Sequence, residues 1–218
     1  KYFNFFAGNI SVLFGEDFVL TEIILPLAIS FFTLQQIAYL VDSYRGTTDE
    51  HSFLHYALFV TFFPQLIAGP IVRHREILPQ FQGARAFQFS SEAFSTGLTI
   101  FLLGVFKKVV LANSLGAYAT PTFAAVALGA TPDFYSAWLA TLAFSFEIYF
   151  DFSAYSDMAI GLSRLLGITL PANFNSPYKS TSIIDFWRRW HMTLGRFLRD
   201  YLYIPLGGRR RAPLRSAL

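Results

Sequence analysis

His191 sits within reach of two tryptophans and four arginines, in a stretch (residues 182–203) that reads SIIDFWRRWHMTLGRFLRDYLY. An imidazole titrates near neutral pH, so it can take a proton from an attacking hydroxyl. Trp187 and Trp190 would desolvate the ring and wall an apolar passage beside it. Arg188, Arg189, Arg196 and Arg199 carry guanidinium forks suited to the phosphates of an anionic donor such as coenzyme A. The competing reading is a histidine that hydrogen-bonds a backbone carbonyl within a helix bundle. A charge near hydrocarbon costs about 3 kcal/mol unless it is paired or hydrated, so the cluster needs a reason to exist.

A second polar group, Glu147, Asp151, Ser153, Tyr155 and Asp157, lies in FEIYFDFSAYSDMAIG. Asp151 and Tyr155 could line a wet cavity or substrate tunnel. Asp157 could instead sit in the first turn of a following helix capped by Ser153 or Ser156. A third segment is FFPQLIAGPI, residues 62–71. Pro64 there breaks or kinks a helix, which makes Gln65 either a substrate contact or a donor to backbone freed by the kink. His51 and His55 are spaced i, i+4 but lack a third ligand, so no metal site is expected. His74, among arginines, reads as solvated. No Gly-x-Ser-x-Gly elbow or phosphate loop is present.

These residues must be carried by membrane helices. Hydrophobic residues make up 54% and charged residues 14% of the 218, with 26 phenylalanines, against about 25% charged in soluble domains. The apolar runs 18–41, 53–72, 98–112 and 134–150 approach the ~20 residues that span a bilayer. The runs 122–130 and 158–170 are short and read as re-entrant or partial. The pair Lys107–Lys108 reads as a snorkelling helix end. Pro171 should end the helix before it, and Ser182 with Asp185 should open the next one as a capping box. A continuous helix from Ile183 would place Trp187, His191, Leu194 and Leu198 on one face, with Arg188, Met192, Arg196 and Arg199 on the adjoining stripe. Arg73, Arg75 and Arg85, with Arg209, Arg210, Arg211 and Arg215, mark two cytoplasmic segments by the positive-inside rule. The absence of cysteine removes thiol nucleophiles, disulfides and thiolate metal sites. The net charge of +3 reads as a topology signal rather than a nucleic-acid footprint, and no nucleic-acid partner is expected.

Three segments taken together resemble the membrane-bound O-acyltransferase family, in its alginate O-acetyltransferase branch, with teichoic-acid D-alanyl transfer proteins as cousins. They are FFPQLIAGPIVR (62–73), YFDFSAYSDMAIGLSRLLGITLPANFNSPY (149–178) and DFWRRWHMTLGRFLRDYLYIPLGG (185–208), about a third of the chain in the family's order. The resemblance implies an all-α, polytopic bundle with broken or re-entrant helices around a funnel and tunnel, residues 1–218 forming one partial domain. It implies a multi-pass protein of the bacterial inner membrane. It also implies acyl transfer, of acetyl groups, from acetyl-CoA or another thioester to an exported polysaccharide such as alginate, with no bound cofactor. The implied partners are membrane lipids, the acyl donor and periplasmic or secreted polysaccharide-modifying acyltransferases.

His191 matches the first of two family histidines. The second lies in a later Trp-His-Gly segment that does not occur in these 218 residues. The chain is therefore expected to be an internal fragment, inactive alone. D-alanyl transfer to a cell-wall polymer is the alternative within the family. A transporter or channel using Glu147, Asp151 and Lys107, or a structural subunit that docks a partner, is the alternative outside it.

Overall fold

The computed structural model describes residues 3–15, 28–48, 52–66, 69–83 and 88–208, and all regular structure among them is helical. The scaffold is one long antiparallel hairpin. Its first arm joins α6 (Ser91–Phe106), a π-helical turn (Lys107–Ala112) and α7 (Asn113–Ala127) into one continuous helix. Among the described residues, this Ser91–Ala127 helix is the one long and apolar enough to cross a membrane. The return arm is α8 (Phe134–Leu165), 32 residues or about 48 Å at 1.5 Å per residue. Asp133 caps α8, its carboxylate accepting from the Tyr135 and Ser136 amides at 2.9 and 3.0 Å.

Glycine lets the two arms touch. A Cβ on Gly161 would lie 2.5 Å from the Phe101 nitrogen, and one on Gly97 would lie 2.8 Å from the Gly161 carbonyl oxygen. Gly104 meets Met158 and Ala154 in the same way, and Gly116 meets the Glu147 carboxylate. Small residues at such a seam allow backbones to approach and gain dispersion contacts that do not depend on water.

Two differences from the sequence reading follow from this hairpin. Lys107 and Lys108 do not end a helix; they sit inside one and pair across the seam with Asp157 and Asp151. The runs 134–150 and 158–170 are not separate helices, and Asp157 is not in a first turn. Pairing with lysine lets the carboxylates stay in mid-helix without breaking it. Likewise 122–130 is no re-entrant segment, since α7 runs through to Ala127. The helix α8 stops before Pro171. Gly167 takes a left-handed φ of 78°, while its N–H and that of Ile168 donate to the Arg164 and Ser163 carbonyls at 3.0 and 2.9 Å. That is a glycine-terminated Schellman end.

Shorter helices precede the hairpin in the chain. They are α1 (Phe3–Phe14), α2 (Ile29–Tyr44), α3 (Phe53–Thr61), α4 (Phe63–Leu66) and α5 (His74–Gln82). The expected span 53–72 is broken. Phe62 is extended, with ψ 91°, and Pro64 cannot donate to the ladder. The Gln65 side-chain amide donates to the Phe59 carbonyl at 2.8 Å, supplying a bond the break removes. Of the expected span 18–41, residues 18–27 lie outside those described, and α2 covers the remainder. Arg85 and the arginines from 209 onward also lie outside. The core here joins Phe59, Phe62, Val72, Ile77, Leu78 and Phe81 to Ile168 and Leu170. Each such side chain contributes about 1.5–3 kcal/mol by burial. That packing anchors the chain leaving α8 and so fixes residues 171–176.

His74 is buried rather than solvated, only 3% exposed. Its Nδ1 lies 3.8 Å from the Asp42 carboxylate, and its ring stands edge-on to Tyr39. Asp42 also accepts from the Tyr201 hydroxyl at 2.8 Å. Arg73 pairs with Asp200 and lies over the Tyr201 ring. Neither ring nitrogen of His74 has a hydrogen-bond partner among the described residues.

Candidate functional site

The helix expected to run on from Ile183 stops at the candidate histidine. Ser182 does cap it, accepting from the Asp185 amide at 3.1 Å. But α9 covers only Ile183–Arg189, Trp190 is extended (φ −96°, ψ 129°), and His191 is left-handed (φ 42°, ψ 53°) before α10 (Met192–Leu198). A left-handed residue with a Cβ costs about 1–2 kcal/mol, so something must hold it.

The loop 173–175 does. In an unbroken helix the Thr193 N–H would donate to the Arg189 carbonyl. Instead that carbonyl accepts from the Asn175 N–H at 2.9 Å, and the Met192 N–H donates to the Asn173 carbonyl at 2.9 Å. The Thr193 N–H and hydroxyl both donate to the Asn173 side-chain oxygen, at 3.4 and 2.8 Å. The Thr193 hydroxyl oxygen in turn accepts from the Ile71 N–H at 3.0 Å. Three of the groups the break frees, the Met192 and Thr193 N–H groups and the Arg189 carbonyl, thus find loop partners, and such bonds are what lets backbone strain persist.

The break changes which side chains meet. Trp187 turns out to the surface, 61% exposed, and touches Phe186. Trp190 goes inward. It stacks on Phe186 (5.6 Å, 19°) and stands edge-on to Phe174 (5.2 Å, 85°), with Tyr149 at 6.1 Å. The His191 ring stands edge-on to Phe152, centroids 4.7 Å apart, and Phe152 stands edge-on to Phe174. The Nε2 atom of His191 is buried without a hydrogen-bond partner. Burial lowers its pKa to about 4, because no nearby anion supports the charged form. The ring is therefore a neutral imidazole at physiological pH.

Most of the candidate arginines are engaged by the chain itself. Arg189 Nε pairs with Asp185 at 2.8 Å and Arg196 with Glu76 at 2.9 Å. Arg199 pairs with Asp200 at 2.7 Å. Arg188 is exposed. Asp151 pairs with Lys108, whose ammonium lies over the Tyr155 ring at 5.4 Å. Both are on the hairpin seam, apart from the aromatic cluster around His191. A cleft of about 500 Å³ opens at that seam, lined by Ile100, Leu103, Phe106, Leu111 and Ile160 beside the Lys107–Asp157 pair. Gln65 is 2% exposed and serves the kink described above. His51 lies outside the described residues, and among those described no group of three or more metal-ligating side chains occurs.

Asn173 and Thr193 were not singled out by the sequence as functional. Yet Asn173 is 1% exposed. Its one legible signal was its place in a proline-punctuated loop before the charged segment. Together, the elements present a neutral imidazole with a free nitrogen, seated among aromatic rings on a strained backbone that the 173–175 loop holds. That arrangement suits orienting or deprotonating a hydroxyl in a dry site.

Comparison with known proteins places the chain in a family. The family model described as MBOAT, membrane-bound O-acyltransferase family, matches residues 48–217. The chain is 48% identical to a peptidoglycan O-acetyltransferase of Helicobacter pylori, over 96% of this chain and 44% of the relative. It is 46% identical to a probable alginate O-acetylase AlgI of Pseudomonas aeruginosa, over 96% of this chain and 40% of the relative. A teichoic acid D-alanyltransferase of Bacillus subtilis is 31% identical over 82% of this chain and 45% of the relative. The chain thus spans less than half the length of these relatives.

Proposed function

The chain belongs to the membrane-bound O-acyltransferase family, and from that premise we propose that the protein carrying it O-acetylates a glycan of the cell envelope or one being exported. The donor is a thioester, acetyl-CoA or an acetylated carrier, and the acceptor is a sugar hydroxyl. His191 lies beside the reacting atoms. The hydroxyl proton moves toward its Nε2 as the new C–O bond forms, and the C–S bond then breaks as the thiolate leaves and takes up the proton. Burial that lowers the ring's pKa makes it a weaker base and a readier acid, so the proton passes on to the leaving thiolate. Trp190, Phe152 and Phe174 keep bulk water from the thioester. A tunnel would bring donor and acceptor to the ring from opposite faces of a bacterial inner membrane crossed several times. Arg188, the candidate arginine without a described carboxylate partner, is the first choice for donor phosphate contact, and periplasmic or secreted acyltransferases are the expected partners.

One observation supports this reading above the rest: a buried imidazole nitrogen with no partner, on a strained left-handed residue. Strain of this kind gathers at functional sites. The test is His191→Ala in the whole protein, with glycan acetylation measured at matched protein levels. We expect a loss of about a hundredfold or more; unchanged acetylation removes His191 from the reaction. Supplying alginate-type and peptidoglycan-type acceptors in parallel distinguishes the two polymers named for the O-acetylating relatives. D-alanyl transfer is the weaker alternative, since that relative is less similar.

A further inference from the structure

Three distant parts of the chain meet at one hydroxyl. The Ile71 N–H donates to Thr193 Oγ1 at 3.0 Å, and Thr193 Oγ1 donates to Asn173 Oδ1 at 2.8 Å. Thr193 is 2% and Asn173 1% exposed, so neither bond competes with solvent. Ile71 follows the helix broken at Pro64, Asn173 follows α8, and Thr193 opens α10 two residues after His191. The Asn173 carbonyl also accepts from the Met192 N–H, and the Asn175 N–H donates to the Arg189 carbonyl. The left-handed residue is thereby gripped on both sides.

We propose that Thr193 and Asn173 are positioning residues for His191. Resting on the reading above, the inference is that their hydrogen-bonded relay holds the His191 backbone left-handed, and so aims its free nitrogen at the acceptor hydroxyl. Neither side chain touches substrate. Without the relay, the Thr193 N–H can return to the Arg189 carbonyl, the helix can close through residue 191, and the ring turns toward the exposed face that Trp187 now occupies. The broken helix at Pro64 acquires a role here, because it delivers the Ile71 amide to the hydroxyl.

The experiment compares Thr193→Val with Thr193→Ser in the whole protein, with His191→Ala alongside. Valine keeps the volume and loses the hydroxyl; serine keeps the hydroxyl. We expect T193V to lower kcat about ten- to hundredfold, the scale of a misplacement near 1 Å, with KM for the thioester within twofold. T193S should keep at least half of wild-type kcat. If T193V does not accumulate in the membrane, Asn173→Ala is compared with Asn173→Asp, which keeps the acceptor oxygen, and N173D should be the more active. Near-normal kcat in T193V, an equal loss in T193S, or N173D no better than N173A overturns the positioning role. Activity retained in H191A overturns instead the reading on which this inference rests.

Discussion

The ring of Phe152 stands at 87° to that of His191, with centroids 4.7 Å apart. This contact helps keep the imidazole dry and its pKa low. Replacing Phe152 with Ala should admit water and raise the His191 pKa toward 6.5. The check is the pH dependence of His191 carbethoxylation by diethyl pyrocarbonate, in protein whose other histidines are replaced. Its midpoint near pH 4 should rise by at least one unit in F152A; an unmoved midpoint would show that other groups cause the desolvation.

The left-handed backbone at His191 gives a prediction with opposite signs for stability and activity. Glycine adopts that conformation without penalty, so His191→Gly should unfold about 1 kcal/mol later than His191→Ala. Both should lose acetyl transfer. Thermal unfolding in detergent decides it, and a less stable glycine variant would count against strain at this residue.

Stability should also fall in mild acid. The folded chain holds His191 near pKa 4, against 6.5 when unfolded, so between those values the unfolded chain binds the extra proton. Its contribution is complete above pH 6.5 and is lost as pH falls toward 4. Burial lowers the pKa of His74 too, with the same sign. His191→Phe should therefore flatten part of the slope of stability against pH in this window. An unchanged slope would assign the effect elsewhere.

At the hairpin seam, helix propensity and packing disagree. In a free helix Gly→Ala stabilises by about 0.8 kcal/mol. At Gly161 the new methyl would meet backbone on the opposite helix, 2.5 Å away. We expect Gly161→Ala to destabilise by about 1–3 kcal/mol, as overpacking does, read from membrane yield and melting temperature.

The ion pair Lys107–Asp157 lends itself to a double-mutant cycle. Lys107→Met leaves a half-buried carboxylate unpaired and should destabilise by about 1 kcal/mol, whereas Lys107→Met with Asp157→Leu should cost less than that single change. Additive losses would mean the two charges act independently.

Helix content and the Ser182 cap could both be read from local pattern. The break at His191 could not. Residues 183–198 have good helical periodicity, and what defeats it is a set of bonds to Asn173 and Asn175, fourteen or more positions away. The long hairpin was hidden for a related reason. Lys107, Lys108 and Asp157 look like helix ends one at a time, and become mid-helix residues only once Lys107 is paired with Asp157 and Lys108 with Asp151. His74 looked solvated because Tyr39 and Asp42, which lie against it, are remote in sequence.

The π-helical turn at Lys107–Ala112 acts as a phase corrector. Gly97 and Gly116 are nineteen positions apart, and at 3.6 residues per turn they would point about 100° away from each other. One surplus residue absorbed in the wide turn leaves the angular equivalent of eighteen, which is five whole turns, so both glycines look at the same neighbour. Removing a single residue from that turn should leave an ordinary α-helix with its seam still aligned, whereas inserting one would swing the Asn113–Ala127 half, with Gly116, off the Glu147 side of its partner.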